Sequence, residues 1–591
     1  MSRREPNSID LPGAAETGFA FGEFRLEPDG TLFRGHLVIH LTPKELDALR
    51  ILLARAGQIV TPAELRQQLW GSVHVTADSV PRCVSSLRLR LMPEDCIQTV
   101  YKRGYRFAAE VQPYRSRRAE SVPRIAILPF ESLHGFPPHL GQAVVEETID
   151  RLVNMRPAPA SILARDSVFT LARAGHTAQQ IGRALEADLV LAGALRALPT
   201  HFRLRAQMIR VDGGTEIWVE DFLVERGKSS AMAPELVERL AIRLGGVTPS
   251  IAAQAAPDEG ADRVPQRREA WEIYLHGKFE SQSFERHRLQ DGLQHLLRAT
   301  EMDPSFAAAQ VSLANLCCAQ AFLGFMSPEV AAETVRRAAG SIPPDSREAD
   351  AVLPALGWVS FHVDRDLAAA IRAFSRCAWL PHDPFAWRMQ AMFALGRHRF
   401  DEASERVDAA LRADPFSPLL HAVRAWTLHL SGRMQESVEQ VRRCLDEFAN
   451  YDGVVPYAAI ILTHSGNTEH GARLAEKLAS SHPYSDLAAA VHAYALASAG
   501  RADEARAILE RLRWLGRERF VLRSFTPAAY IALGEAEAAI EELRAADESR
   551  CPWFFQMLAD PRLQSLQAHP EFGRMRGVLA GMEAAAADAD T

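Results

Sequence analysis

No stretch of this 591-residue chain holds the roughly 18 consecutive apolar residues that a membrane-spanning helix needs. The opening MSRREPNSIDLPG lacks the apolar centre of a secretory signal. Neither a membrane partner nor export is expected. Cysteine is scarce and scattered, at 83, 96, 317, 318, 377, 444 and 551, with no CxxC spacing and no even framework. That predicts reduced thiols in a cytoplasm. The adjacent Cys317-Cys318 reads as two small buried residues of a helix, not a redox pair. No metal-ligand cluster and no nucleophile–base set stands out, so no cofactor, metal or enzymatic activity is expected. Gly227-Lys228-Ser229 imitates the tail of a phosphate-binding loop, but Phe222 occupies the position where that loop requires glycine. It reads as solvated linker.

The chain is too long for one core, so several domains are expected. Its net charge is −7, which argues against general attraction to nucleic acid. The charge is unevenly spread, however. Residues 18–118 carry 15 Lys/Arg against 10 Asp/Glu, a net of +5, and nine of those bases against three acids fall in 82–118. Residues 1–17 carry −1, so residues 119–591 carry −7 − 5 + 1 = −11. A small basic module on an acidic body fits localised phosphate binding.

Within that module, residues 18–112, alternating apolar residues at Phe21, Phe24 and Leu26, then Leu32, then Leu37, Ile39 and Leu41 predict a small antiparallel meander. Turn residues Pro28-Asp29-Gly30 and Gly35-His36 separate the runs. Thr42-Pro43-Lys44-Glu45 and Thr61-Pro62-Ala63-Glu64 are capping boxes, each with proline at the first helical position. The stretch 76–107, TADSVPRCVSSLRLRLMPEDCIQTVYKRGYRF, then reads as a third helix followed by a hairpin with a basic tip. At about 100° per residue, Val80, Val84, Leu87 and Leu91 share an inward face, and Arg82, Ser85, Ser86 and Leu89 turn outward.

This order resembles the OmpR/PhoB-type winged helix. The family's S-L-x-x-x-I-x-x-L-R stands here as Ser79-Val80-Pro81-Arg82-Cys83-Val84-Ser85-Ser86-Leu87-Arg88, and its wing I-x-T-V-x-x-x-G-Y-R-F as Ile97 to Phe107. Arg82-Cys83 and Thr99-Val100-Tyr101 are most similar to HilA-type activators, and CadC-type regulators share the wing. The resemblance implies double-stranded promoter DNA as partner. Arg82, Ser85 and Ser86 would face base edges, and Arg88, Lys102 and Arg103 would face phosphates. Leu89 departs from the pattern, since that outward position is often basic. A dimer on half-sites one helical turn apart is expected. Only about 17 polar residues precede the module, so no phosphorylated receiver is expected before it.

Residues 113–121 read as a charged linker. Residues 122–247 follow the pattern β-α-β-α-β-β-β and predict an α/β layer domain. Leu128-Pro129-Phe130, Ile181-Gly182, Leu191-Ala192-Gly193, Arg205-Ala206-Gln207 and Trp218 resemble a TolB-N/FlgO-like module. Residues 248–268 read as a second linker. From 269 to 582 the signal is a period: Gly396, Gly432, Gly466, Gly500 and Gly534 are spaced 36, 34, 34 and 34 residues. That is the tetratricopeptide (TPR) repeat, predicting seven or eight stacked helix pairs whose concave groove is the binding surface. The stretch 560–573 reads as a cap, 583–591 as a tail and 1–17 as a disordered N-terminus.

The expected fold class is therefore multidomain α+β: an N-terminal winged helix, an α/β middle domain and an all-α TPR superhelix. The expected function is a one-component, HilA-like transcription activator of secretion or virulence genes. RNA polymerase or a regulatory protein would engage the remaining domains. The alternative is a TPR adaptor whose winged helix binds protein.

Overall fold

The computed structural model describes residues 17–22, 24–26, 32–34, 37–39, 41–71, 76, 78–92, 96–109, 111–115, 122–133, 135–155, 158–244, 264–281, 285–346, 348–377, 384–448 and 451–589. The expectations for residues 1–16 and for the turns at 28–30 and 35–36 lie outside them. The chain forms two compact units, Met1–Val122 and Pro123–Thr591.

The first unit opens with the meander β1 (Thr17–Phe21), β2 (Phe24–Leu26), β3 (Leu32–Arg34) and β4 (Leu37–Ile39). Helix α1 (Pro43–Ala54), β5 (Ile59–Val60), α2 (Pro62–Trp70) and α3 (Ser79–Arg90) follow, then the hairpin β6 (Ile97–Val100) and β7 (Gly104–Phe107). Both capping boxes form: Thr42 exchanges hydrogen bonds with Glu45, and Thr61 with Glu64. Each cap is worth about 1 kcal/mol. β5 pairs with β7, which pairs with β6, so the wing is a three-stranded sheet. Val80, Val84, Leu87, Leu91 and Phe107 are all buried. The Phe107 ring meets Phe21 edge-on at 5.0 Å, joining wing to meander.

The structure differs from the sequence reading at 113–121. A further strand, β8 (Gln112–Arg115), returns antiparallel to β1, with Phe19 opposite Pro113. It covers what would otherwise be an open sheet edge, a hydrogen-bonding demand that the charged sequence hides.

The second unit begins with β9 (Arg124–Ile127), β10 (Glu131–Leu133), α4 (Pro138–Asn154), β11 (Ser161–Ile162), α5 (Arg165–Arg173) and α6 (Ala178–Ala184). β12 (Leu189–Ala197), β13 (His201–Arg210), β14 (Thr215–Glu225) and α7 (Met232–Arg243) complete its α/β part. The sheet runs β11-β9-β12-β13-β14, with β10 beside β12. It is parallel on one side and antiparallel on the other. Two glycines of the resemblance motif are close approaches. A Cβ at Gly182 would lie 2.4 Å from Val211, and one at Gly193 would lie 2.9 Å from the Phe130 ring. Helices α5 and α7 were not anticipated. The segment 226–231 is a short 3-10 helix instead of solvated linker, and Ser229 is buried with its hydroxyl 3.3 Å from Glu272.

Helix α8 (Val264–Glu280) starts inside the segment read as the second linker. It pairs with Arg286–Met302 to open the array. Among the described residues seven further pairs follow, from Ala307–Leu323 with Pro328–Gly340 to Pro527–Ala532 with Ala536–Glu548. The 34-residue period is stricter than the glycines imply. The left-handed residues that end successive first helices are His398, Gly432, Gly466, Gly500 and Gly534, each 34 residues from the next. In each case the following amide bonds a carbonyl five residues back, as Arg399 N does with Ala394 O and Arg501 N with Leu496 O. Gly396 is not the turn residue. It is small because a Cβ there would stand 2.6 Å from the Phe361 ring.

The last segment does more than cap the array. Trp553 donates to the Phe322 carbonyl at 2.8 Å, Trp426 donates to Gln556 at 3.0 Å, and Phe555 packs 5.0 Å from Phe361. Residues 553–562 therefore fill part of the array's inner side. The final helix, Pro570–Ala589, continues into the segment read as a tail, and its Glu583 pairs with Arg397 at 2.9 Å.

The α/β part is fastened to the array by buried polar groups. Asp414 accepts from the Ser167 amide at 2.9 Å and from the Ser167 hydroxyl, which in turn accepts from Phe416 N at 2.8 Å. Glu146 of α4 meets Arg165 of α5 at 2.8 Å and Lys278 of α8 at 2.9 Å. Burial raises the Glu146 carboxyl, but the two cations outweigh it and hold it at about 2. Removing one member of such a buried ionic group typically costs about 3–5 kcal/mol.

Candidate nucleic-acid interface

Helix α3 sits on the first unit's core through its inward face, and what it presents outward is the candidate site. Arg82, Ser85 and Leu89 lie at i, i+3 and i+7, one stripe of the helix, and all three are exposed. Leu89 is 70% exposed. The stripe spans about 10 Å along the axis, roughly the rise of three base pairs. Arg90 is exposed beside it. The Arg82 amide donates to Asp78 O within the helix, and among the described residues its guanidinium has no hydrogen-bond or ion-pair partner.

The structure does not bring all six predicted residues to this face as free groups. Ser86 is half-buried and donates its hydroxyl to Glu45 of the α1 capping box. Burial raises the Glu45 carboxyl, but the Ser86 and Thr42 hydrogen bonds outweigh it and hold the group below its ordinary value. Ser86 is thereby a link between α3 and α1. Arg88 is engaged too: its Nε donates to Ile97 O at 2.9 Å and its Nη2 to Thr99 Oγ1 at 2.8 Å. It ties the helix to the wing. Periodicity places both residues on the outward side, but it cannot reveal that a neighbouring element reaches them there. In the folded unit both side chains hold neighbouring elements together.

Lys102 and Arg103 are exposed at the hairpin tip. Lys102 takes a left-handed φ of 57°, and its ammonium lies 5.3 Å from the Tyr101 ring. Tyr101 is 82% exposed. The turn depends on Gly104, with φ 139° and no room for a side chain: a Cβ would stand 2.2 Å from Val60 O. Arg90 and Tyr101 were not among the predicted site residues. Nothing in their spacing marks them; their exposure in the folded unit does.

Two helices in a helix-turn-helix arrangement, an outward basic helix face and a basic wing define a DNA-binding winged helix. Residues 36–107 match the family described as "Transcriptional regulatory protein, C terminal". Over 444 residues the chain is 23% identical to Transcriptional regulator HilA of Salmonella typhimurium, covering 72% of this chain and 70% of that one. It is 26% identical over 214 residues to Putative adenylate cyclase 3 of Rhizobium meliloti, covering 35% and 34%. Among solved structures, the DNA-binding domain of E. coli CadC matches at 28% identity with a TM-score of 0.16, covering 17% of this chain and 99% of that one. An OmpR/PhoB-type DNA-binding domain thus stands at residues 36–107 of a chain that is similar to HilA regulators. Among the described residues no helix is long and apolar enough to cross a membrane, and no group of three or more His, Cys, Asp or Glu is placed to hold a metal.

Proposed function

We propose that the chain is a sequence-specific, one-component transcription activator that acts on promoter DNA through α3 and the wing. The observation that carries this is the exposed stripe Arg82–Ser85–Leu89, with Arg90 beside it, on a helix whose Ser86 and Arg88 are held by α1 and the hairpin. Arg82 grips guanine O6 and N7, Ser85 takes a base edge or phosphate, and Leu89 packs on a thymine methyl group. Arg90, Lys102 and Arg103 hold phosphates and set the salt dependence. The similarity to HilA supports the activator role and the expectation of secretion or virulence targets. The body of the protein would engage RNA polymerase or a regulatory protein, with a second copy of the chain on the adjacent half-site.

The test is genome-wide DNA occupancy of the intact protein. Enrichment at discrete sites upstream of genes is expected, with transcript levels of those genes falling when the protein is removed. Uniform background occupancy would leave the adaptor reading in place.

A further inference from the structure

The second unit holds a partly open cavity of about 440 Å³ between α5 and the inner helices of the array. That volume lies within the range of about 300–1,000 Å³ typical of small-molecule sites, which favour domain junctions. Its walls come from distant parts of the chain: Phe169 of α5, Phe322, Met389, Tyr457 and Trp553. These give an apolar, largely aromatic interior. The roof is held in place, because α5 is fastened to the array by Ser167–Asp414 and, through Arg165 and Glu146, to Lys278.

The charged groups lining the cavity do not cancel. Asp166 lies 3.5 Å from Arg165, which also meets Glu146, and Asp452 hydrogen-bonds to His482 at 3.0 Å, so the lining holds three arginines, Arg165, Arg173 and Arg388, against the two carboxylates Asp166 and Asp452. Two further cations line the space. Arg173 is exposed at the end of α5, and Arg388 is half-buried with its guanidinium 5.4 Å from the Phe385 ring. Among the described residues neither has a carboxylate within ion-pair distance. Both act on the same place: burial and Asp166 push the Tyr451 hydroxyl up, and Arg388 and Arg173 oppose them. A half-buried guanidinium facing an aromatic cavity, with no carboxylate in ion-pair distance among the described residues, favours an anion that brings its own apolar surface.

We propose that this cavity binds a small organic acid, with an aromatic body against Phe169, Phe322 and Trp553 and one oxyanion head on Arg388, Arg173 closing the rim. Carboxylate and phosphate heads share the chemistry that a guanidinium fork recognises. Because the site joins the α/β part to the array, an occupant ties those two parts together and raises their common stability by mass action.

The experiment is isothermal titration calorimetry on the full chain with three probes: 4-hydroxyphenylacetate, phenyl phosphate and the neutral 4-hydroxyphenylacetamide. At least one anion binds, and the neutral amide binds about tenfold or more weakly. The preferred anion reports whether the head is carboxylate or phosphate. Arg388→Gln weakens the anion about tenfold or more, and Arg173→Gln weakens it less. Ala319→Leu, which fills the cavity and keeps both arginines, weakens all three probes. Thermal unfolding of each variant shows that the body is folded. Equal binding of amide and anion, an unchanged affinity in Arg388→Gln, or no heat from any probe at millimolar concentration overturns the proposal. DNA affinity of the same preparations is read in parallel, so a failed pocket is distinguishable from a failed regulator.

Discussion

The winged helix and the body behind it build sites in opposite ways. In the winged helix every candidate residue comes from 30 consecutive positions, and the site is a convex surface of exposed side chains on a small core. In the body the cavity draws on residues from Arg165 to Trp553, so its walls come from both the α/β part and the array. The first kind of site is local and tolerates changes elsewhere in the molecule. The second depends on buried polar fastenings such as Ser167–Asp414. The comparison predicts that the DNA-contacting part and the body that holds the cavity, being separate compact units, fail independently, so that each can be broken alone.

The largest effect is expected at Gly104. Gly104→Ala sets a methyl against Val60 O at a φ that side chains disfavour. It should destabilise the winged helix by about 3 kcal/mol or more. DNA binding would be lost while the unfolding transition of the body stays in place. Coupled loss of both transitions in calorimetry would end the claim of independence.

Next in size is a pH effect confined to the body. Burial, aided by the Asp166 charge, raises Asp414 from 3.8 to about 7 against the Ser167 hydrogen bonds. Between those values the folded state holds a proton that the unfolded chain has lost, so stability falls as pH rises through that window. The melting temperature of the body should drop between about pH 4 and 7 and level off above, by the equivalent of a few kcal/mol at most. Asp414→Asn should flatten the slope. A slope unchanged in that variant would remove Asp414 as its source.

Within the winged helix, Arg88→Ala and Ser86→Ala should each lower stability by about 1–2 kcal/mol, since they break contacts to the hairpin and to Glu45. Their base preferences should not change. A shift in preferred sequence would mean that these side chains reach the DNA after all. The smallest effect is expected at the wing tip. Lys102→Ala or Arg103→Ala should weaken all DNA sequences alike and reduce the salt slope of log K by about 1.

The same contrast explains what could be read in the sequence. The capping boxes at Thr42 and Thr61, the inward face Val80–Val84–Leu87 and the wing are local signals, and the helices and hairpin stand where those signals put them. Hydrogen bonds between elements carry no local signal, so Ser86 and Arg88 looked open when they are engaged. β8 was hidden because it answers the needs of a strand nearly 100 residues earlier. In the array, glycine is an imperfect marker of the repeat. His398 takes the left-handed turn that four glycines take elsewhere, and Gly396 is small for packing. The cavity was illegible for the same reason as β8: no two of its walls need be neighbours in sequence.

The central claim is that this chain reads DNA through Arg82 on the outer face of α3. Its most direct test is selection of bound sites from a random duplex pool by the full chain and by Arg82→Ala. The wild type should recover a defined motif with a guanine at one position. The variant should bind about 5- to 150-fold more weakly and lose preference at that position alone. Recovery of the same motif by both proteins, or of no motif by the wild type, would contradict the account.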